Sequence, residues 1–160
     1  MRILLVQPDY RPSVGFRRIA MPEPLALEIL AATVPDHDVR ILDLRFPELH
    51  RGTWDEVAGF EPDIVGVTCL TPEFYAVLAV LREAKRRWPR CLTVVGGHHA
   101  TLCPEDWNDP WVDAVCLGEG ESVFSQLIAA IENGQSLSGL WNVAYRGALA
   151  ERMAVRRRRE

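Results

Sequence analysis

Short apolar segments alternate along the chain with segments whose apolar residues recur at helical spacing. Three of the short segments are almost continuously apolar, which is typical of parallel strands covered on both faces. Val39–Leu44 instead alternates between apolar and polar residues, which predicts a strand at the edge of a sheet. The predicted strands are Ile3–Val6, Val39–Leu44, Ile64–Cys69, Leu92–Val95 and Ala114–Leu117.

The segments between the strands contain recognisable helix boundaries. Thr71 and Pro72 are typical of an N-cap and a first helical residue, and an apolar stripe follows them. The polar side of that helix is predicted to carry Lys85, the chain's one lysine, on its surface. Further helices are predicted after the capping box Thr53-Trp54-Asp55-Glu56, along Val123, Leu127, Ile128 and Ile131 as far as Asn133-Gly134, and over Pro22–Val34.

Alternating strands and helices predict an α/β fold. We expect a flavodoxin-like or Rossmann-like domain of three layers, with a five-stranded parallel sheet and right-handed crossovers. A short C-terminal strand or hairpin is expected from Leu140 onward. Residues 1–146 would then form the domain, and residues 147–160 a C-terminal extension or the start of a linker to a missing catalytic domain.

Composition narrows the class of protein. The 160 residues fit one domain, and 48% of them are hydrophobic, which is enough for a sizeable core. A formal net charge of −4 favours neither nucleic acid nor membrane as a partner, and the apolar runs are too short to span a bilayer. The four cysteines show no C-x-x-C spacing, so we expect free thiols, a reducing cytoplasm and no iron–sulfur cluster held by this chain.

Candidate binding residues follow the predicted strands, because ligands of an open parallel sheet bind beyond the carboxyl ends of its strands. Paired or alternating glycines there permit backbone to approach a bulky ligand. The hydroxyls of Thr68, Thr71 and Thr101 are candidate donors to such a ligand. The loops are Gln7-Pro8-Asp9-Tyr10, Thr68-Cys69-Leu70-Thr71, Gly96-Gly97-His98-His99-Ala100-Thr101 and Gly118-Glu119-Gly120.

Common catalytic and nucleotide motifs are missing from these loops. Neither glycine loop matches G-x-G-x-x-G, and there is no P-loop or G-x-S-x-G sequence. His98 and His99 are neighbours in an expected extended loop, so at most one could ligate a metal ion, and we interpret them as lining a pocket or capping a helix. Carboxylates such as Asp9 and Glu119 are common structural choices at these places. We therefore predict no catalytic residue and no metal-ligating side chain.

These loops resemble a known family. Thr68-x-Leu70, followed by Thr71-Pro72, resembles the S-x-L loop of cobalamin-binding domains, and Gly96-Gly97 resembles their paired glycines. The order of motifs over residues 1–146 further resembles the N-terminal cobalamin-binding domains of cobalamin-dependent radical-SAM proteins. This resemblance implies a cobalamin at the carboxyl edge, its nucleotide tail between the loops after the first and third strands. The implied cofactor-binding residues are Gln7, Asp9, Tyr10, Thr68, Leu70, Thr71, Gly96, Gly97, His98, His99, Ala100, Gly118, Glu119 and Gly120.

Two departures from the family pattern affect the implied function. Cobalamin domains that ligate cobalt carry D-x-H-x-x-G, whereas Asp9-Tyr10-Arg11 has an arginine in place of the histidine. We therefore expect a base-off, His-off corrinoid, with Leu70 or Tyr10 near its lower face. The radical-SAM motif C-x-x-x-C-x-x-C is also missing, so the iron–sulfur cluster and S-adenosylmethionine of a full-length parent would not be bound by this chain.

The sequence thus predicts a cobalamin-binding module that serves a radical-SAM catalytic domain, in cis or in trans. Methyl transfer or related radical chemistry would belong to the parent protein, and this chain alone is not expected to be catalytic. Two alternatives remain open. One is a flavodoxin-like oxidoreductase that binds a nucleotide or flavin at Gly118-Glu119-Gly120. The other is a non-catalytic, receiver-like interaction domain.

Overall fold

A single sheet organises the protein. The computed structural model describes residues 1–9, 23–46 and 53–145, and within them six strands lie in the order β2-β1-β3-β4-β5-β6. Strands β1 to β5 are parallel and β6 is antiparallel to β5, which confirms the predicted fold class. The strands are β1 (Arg2–Gln7), β2 (Asp38–Asp43), β3 (Ile64–Thr68), β4 (Leu92–Gly96), β5 (Ala114–Cys116) and β6 (Val143–Tyr145).

Helices cover both faces of this sheet and produce the predicted three layers. Side chains such as Leu5 and Val94 form one core beneath α1 and α4, whereas Leu4 and Val95 belong to a second core beneath α2 and α3. The inner strands are therefore apolar on both faces, as their sequences predicted. The helices are α1 (Leu25–Ala32), α2 (Phe74–Arg87), α3 (His98–Leu102) and α4 (Gly120–Glu132).

The edges of the sheet agree with the sequence pattern. Strand β2 lies at one edge, which confirms the strand position predicted from its alternation. Strand β6 closes the other edge and confirms the expected C-terminal strand, although it is shorter than the segment from Leu140 to Arg146. A turn at Leu137–Gly139 and the positive φ of 60° at Asn142 precede it. Residues 146–160, with the possible hairpin return, lie outside the described residues.

The observed helix boundaries differ in places from those that the sequence predicted. The helix predicted over Pro22–Val34 is shorter, because Pro24 has a non-helical ψ of 57° and α1 begins after it. The predicted N-cap at Thr71 is wrong: Thr71–Glu73 forms a separate 3₁₀ turn before α2. Of the Thr53–Glu56 capping box, the half in which the Thr53 N–H donates to the Glu56 carboxylate at 3.1 Å is present, and it opens the 3₁₀ turn Trp54–Val57 rather than an α-helix. The end of α4 at Asn133-Gly134 is confirmed.

Lys85 is not on the surface as the sequence suggested. Its ammonium group donates to the carboxylate of Asp113 and to the carbonyl oxygen of Cys91 at 2.7 Å, and only 15% of its side chain is exposed. The same carboxylate accepts hydrogen bonds from the backbone N–H and the hydroxyl of Thr93, at 2.9 and 3.0 Å. This cluster ties α2 to the beginnings of β4 and β5.

Among the described residues, no helix is long and apolar enough to cross a membrane.

The Lys85 cluster gives a prediction about stability. Partial burial favours a higher pKa for Asp113, but hydrogen bonds from Lys85 and Thr93 outweigh it and hold the pKa below its ordinary value. The ionised carboxylate therefore stabilises the fold above its unfolded-state pKa, and this stabilisation is lost as the pH falls through the lower folded-state pKa. We expect Asp113→Asn to reduce the free energy of unfolding at pH 7 by about 2 kcal/mol.

Urea unfolding of both proteins between pH 2.5 and 7 measures this effect. The difference between wild type and Asp113→Asn should shrink below pH 4. The control is Glu61→Gln, which removes an exposed ion pair with Arg2 at 3.7 Å and should change stability little. A difference for Asp113→Asn that does not vary with pH would contradict the electrostatic explanation.

Candidate functional site

A cleft opens at the carboxyl edge of the sheet, beneath α1 and α4. Its accessible volume is about 50 Å³, which is below the range of about 300–1,000 Å³ typical of small-molecule sites, so only a part of a larger ligand fits the cleft as it stands. Its position beside β1 and β3 coincides with the point where the strand order reverses. The lining residues are Leu5, Leu27, Leu30, Gly66, Val67, Thr68, Val94, Gly96, Gly97, Cys116, Gly118, Gly120 and Phe124.

Glycines determine how much of this cleft stays empty. A Cβ atom on Gly66 would lie 2.9 Å from the Leu5 side chain, and one on Gly120 would lie 3.0 Å from Leu30. At Gly96 the nearest atom would be the Cβ of Cys116 at 3.6 Å, an ordinary van der Waals distance. The protein therefore has room for a Cβ atom at position 96, and the further atoms of a larger side chain would take up space in the cleft that Gly96 lines.

Gly97 is required by the protein's own backbone. Its φ is +94°, and a Cβ there would lie 2.7 Å from the Thr68 hydroxyl oxygen and 2.9 Å from the Cys69 nitrogen. The Cys69 N–H donates to the Gly96 carbonyl oxygen at 2.9 Å, and the His99 N–H donates to the Cys69 carbonyl oxygen at 3.0 Å. The loops after β3 and β4 thus touch at Gly97. This second role of the paired glycines was not evident from the sequence.

The hydroxyl of Thr101 connects two loops instead of facing a ligand. It donates to the Gly97 carbonyl oxygen at 3.0 Å and accepts a hydrogen bond from the Gly118 N–H at 2.9 Å. The sequence suggested Thr101 as a donor to a ligand, and the structure contradicts this because the proton is already engaged. Thr101 instead holds together the glycine loops after β4 and β5.

Few polar side chains line the cleft. The Thr68 hydroxyl has no hydrogen bond within the described part of the chain. Burial raises the pKa of the Cys116 thiol to about 12, so this group stays neutral. A largely apolar cleft with one hydroxyl, one thiol and accessible glycine backbone suits a ligand portion that is flat, mostly apolar and uncharged.

Leu70 and Thr71 lie at the rim and do not line the cleft. Both are exposed, Leu70 by 53%. Their loop is held from below, because the Leu70 N–H donates to the Glu73 carboxylate at 2.9 Å. Leu70 therefore presents an apolar side chain at the open edge of the sheet.

Beneath this loop, Glu73 is a buried acid. Burial raises the pKa of Glu73, although the Leu70 N–H and the charge of Arg45 both oppose this rise. Arg45 donates to the Asp43 carboxylate at 2.8 and 2.6 Å, and this pairing raises the pKa of Arg45. Burial, together with the nearby charge of Glu73, raises the pKa of Cys69 to about 12. The thiol below the rim is accordingly neutral.

The remaining predicted residues of the first and last loops are dispersed. Gln7 and Asp9 are half-buried at the end of β1, and neither lines the cleft. Tyr10 lies outside the described residues, as does Arg11. Glu119 is exposed immediately before α4, and no hydrogen bond from its side chain caps that helix.

The two histidines lie on α3 rather than in an extended loop, contrary to the sequence interpretation. His98 is exposed, whereas His99 is only 5% exposed. The His99 ring packs against Phe74 and Trp107, with ring centroids 5.2 and 5.6 Å apart. His99 and the buried Ala100 thus lie on the α2 side of the sheet, away from the cleft.

The structure brings only part of the predicted set together. The predicted residues that line the cleft are Thr68, Gly96, Gly97, Gly118 and Gly120. Sequence reasoning missed its apolar walls, namely Leu5, Leu27, Leu30, Val67, Val94 and Phe124, and also Gly66 and Cys116. The sequence did contain a signal for Gly66, because a glycine inside an apolar strand often marks a place where another group approaches the backbone closely. The walls gave no signal, since apolar residues are expected throughout a core.

Comparison with known proteins shows the family of the chain. The chain matches the B12 binding domain family over residues 20–128. It is 35% identical, over 91% of its length, to an uncharacterized methyltransferase of Pyrococcus horikoshii. It is 32% identical, over 86% of its length, to an anaerobic magnesium-protoporphyrin IX monomethyl ester cyclase of Rubrivivax gelatinosus. The chain spans 33% and 26% of the lengths of these relatives.

A solved structure has the same fold. The radical S-adenosylmethionine methyltransferase TsrM from Kitasatospora setae, solved with cobalamin and an iron–sulfur cluster, superposes with a TM-score of 0.70. The match covers 90% of this chain and 27% of that chain at 23% identity.

The family match covers more than half of the chain, and the chain therefore belongs to the B12 binding domain family. It is similar to the cobalamin domains of radical-SAM methyltransferases, which confirms the family resemblance seen in the sequence. The residues present fit the cofactor. Gly96 lines the cleft and has no side chain to occupy it, and the rest of the lining is mostly apolar, with the Thr68 hydroxyl as its hydroxyl group.

The buried Glu73 carboxylate generates a prediction. Because its pKa is raised, ionisation of Glu73 costs stability, and wild-type stability should decrease as the pH rises from the unfolded-state pKa through the folded-state pKa. The glutamine side chain of a Glu73→Gln variant is neutral, and its oxygen can still accept the Leu70 N–H. We expect this variant to be at least as stable as wild type at pH 7.

Urea unfolding at pH 5 and pH 7 tests this expectation. The advantage of Glu73→Gln over wild type should be larger at pH 7. Glu121→Gln, at an exposed position on the first turn of α4, is the control for a generic loss of negative charge. A clear loss of stability in Glu73→Gln at pH 7 would instead mean that attraction to Arg45 dominates.

Proposed function

We propose that this chain holds a base-off, His-off cobalamin with the base of its nucleotide tail in the cleft beneath α1 and α4 and the charged phosphate nearer the open edge. The observation that carries this proposal is the glycine-bordered, mostly apolar cleft at the carboxyl edge of the sheet, at the point where the strand order reverses. Thr68 would donate a hydrogen bond to the tail, and the Gly96 and Gly118 backbone would border it. Leu70, exposed at the rim, would face the corrin ring.

The bound cofactor would supply a cobalt centre able to carry a methyl group or an electron. The chain's own residues would bind and orient it. Backbone contacts at Gly97 and the Thr101 hydroxyl hold the bordering loops rigid, so little loop ordering would remain to be done on binding. The apolar walls formed by Leu27, Leu30 and Phe124 would exclude water from the tail.

We further propose that a radical-SAM catalytic domain, in cis or in trans, covers the open edge. The identity of the relatives supports this, together with the fact that the chain spans a third or less of their length. Methyl transfer or related radical chemistry would be the reaction of the complete protein. The catalytic domain would determine the substrate of that reaction. A cytoplasmic location belongs to the same proposal and is supported by the four free thiols.

Gly96→Val tests the location of the site. The valine side chain would fill space next to Cys116 without forcing the backbone into strain, so the fold should persist. We expect the affinity for hydroxocobalamin to fall at least tenfold, measured by calorimetric titration. Gly97→Trp is a poor alternative, since the φ of +94° and the contact with Cys69 would disturb the fold itself.

Gly139→Val is the matched control, because no atom lies within 4 Å of a Cβ at that position. Its cobalamin affinity should equal that of wild type. Titrations with FMN and NAD complete the experiment and are expected to show no binding. Unchanged cobalamin affinity in Gly96→Val would move the site elsewhere, and tight binding of FMN would favour the oxidoreductase alternative.

The axial ligation of cobalt can be examined separately. The His99 ring is buried on the other side of the sheet, and Arg11 stands where cobalt-ligating domains have histidine. We expect the electron paramagnetic resonance spectrum of the cob(II)alamin-loaded chain to show no nitrogen splitting of the cobalt signal. Splitting that disappears in His98→Gln would identify His98 as a ligand, and splitting that persists in His98→Gln would indicate base-on cobalamin or ligation by another of the chain's four histidines. Either result contradicts the base-off, His-off form.

A further inference from the structure

We propose that His99, Cys103 and Asp106 form a Zn²⁺ site on the α2 side of the sheet, separate from the cleft. His99 lies in the first turn of α3, Cys103 immediately follows this helix, and Asp106 belongs to the 3₁₀ turn Pro104–Trp107. The chain leaves the helical conformation at Cys103 (φ −130°, ψ 61°), and this bend brings the turn that contains Asp106 back towards His99. Cobalamin binding neither requires nor supplies this site.

The distances suit a tetrahedral ion. The ligand atoms of the three side chains all lie within 4.8 Å of one another, and His99 Nε2 is 3.4 Å from Asp106 Oδ2. Two ligands of a tetrahedral Zn²⁺ ion are about 3.3–3.6 Å apart, given bonds of about 2.0–2.3 Å. The histidine and the carboxylate therefore already have the required separation. Cys103 is half-buried and offers its sulfur within 4.8 Å of both other ligand atoms.

The second observation that supports a metal site is the environment of the His99 imidazole ring. The side chain is 5% exposed, yet neither ring nitrogen has a hydrogen bond within the described residues. The approach of Nε2 to Asp106 at 3.4 Å does not have hydrogen-bond geometry. A buried polar group without a partner costs free energy, and histidine nitrogen bound to a metal ion is one way to satisfy it.

The surroundings hold the imidazole in place and leave one side open. Phe74 and the fully buried Trp107 pack against the ring, which restricts its rotation. The Asp106 side chain is 48% exposed, so water has access as a fourth ligand. Nitrogen, thiolate sulfur and carboxylate oxygen together are a donor set that Zn²⁺ accepts, whereas Mg²⁺ and Ca²⁺ prefer oxygen alone.

A bound zinc ion would restrain α3 and the 3₁₀ turn Pro104–Trp107, which follow Gly97 in the chain. The His99 backbone N–H already donates to the Cys69 carbonyl oxygen, so α3 is attached to the loop after β3. A zinc ion that joins His99 to the turn containing Asp106 would restrain the outer end of the same segment. The ion is expected to act as a structural clamp on the carboxyl edge.

Zinc titration of the cobalamin-free, tag-free chain tests the site. We expect one Zn²⁺ per chain by competition with a chromophoric chelator, and affinity losses of at least tenfold in Cys103→Ser and in Asp106→Asn. Both positions are partly exposed, so these variants should fold. His98→Gln and Glu105→Gln are matched controls, since each changes a neighbouring side chain outside the cluster, and both should bind within twofold of wild type.

Cobalt(II) substitution gives a second readout. A site with His, Cys and Asp ligands should give intense visible bands of a tetrahedral ion and a thiolate charge-transfer band that Cys103→Ser removes. Absence of stoichiometric Zn²⁺ binding would overturn the proposal. Equal affinity in all the variants, or a cobalt spectrum without thiolate character, would overturn it as well. None of these outcomes bears on cobalamin affinity, so the two proposals fail independently.

Discussion

The backbones of the loops after β3 and β4 meet at Gly97, and this contact determines the geometry of the whole carboxyl edge. The Cys69 N–H donates a hydrogen bond to the Gly96 carbonyl oxygen, and the Cys69 carbonyl oxygen accepts one from the His99 N–H. Because a Cβ on Gly97 would lie only 2.7–3.0 Å from Thr68 and Cys69, no other residue permits this approach without rearrangement. Thr101 extends the same connection to the loop after β5 through its hydrogen bonds to Gly97 and Gly118. Three loops are thereby held as one rigid rim.

This rim separates two faces with different chemistry. On the side of α1 and α4, glycines and apolar side chains leave a cleft in which the polar side chains are neutral groups such as Thr68 and Cys116. On the side of α2 and α3, aromatic rings enclose a histidine that lies beside a carboxylate and a thiol. The proposed cobalamin tail would place its base in the first environment, and the proposed zinc ion would lie in the second. The buried Glu73 supports the rim from below through the Leu70 N–H.

The sequence predicted the strands, the edge position of β2 and the end of α4 well. Each of these depends on nearby residues only, namely on the order of apolar and polar positions or on the Asn133-Gly134 pair that ends α4. It predicted the family from short motifs that surround the rim. It misplaced Lys85 and Thr101, whose partners Asp113 and Gly118 are 28 and 17 residues away. A polar residue in sequence carries no indication of such a distant partner. For the same reason the sequence did not show which of His98 and His99 is buried, and the structure exposes His98 and buries His99 among aromatic rings.

The amino-acid sequence by itself determined the parallel α/β architecture, the glycine positions at the edge and membership of the B12 binding domain family. These depend on residue type and order, which fix backbone propensity and the alternation of apolar and polar positions. Only the tertiary structure decided which loop residues face the cleft and which serve the rim. It also decided that His99, Cys103 and Asp106 approach one another. The physical reason is that side-chain direction and burial follow from how helices pack on the two faces of the sheet, which no single segment specifies.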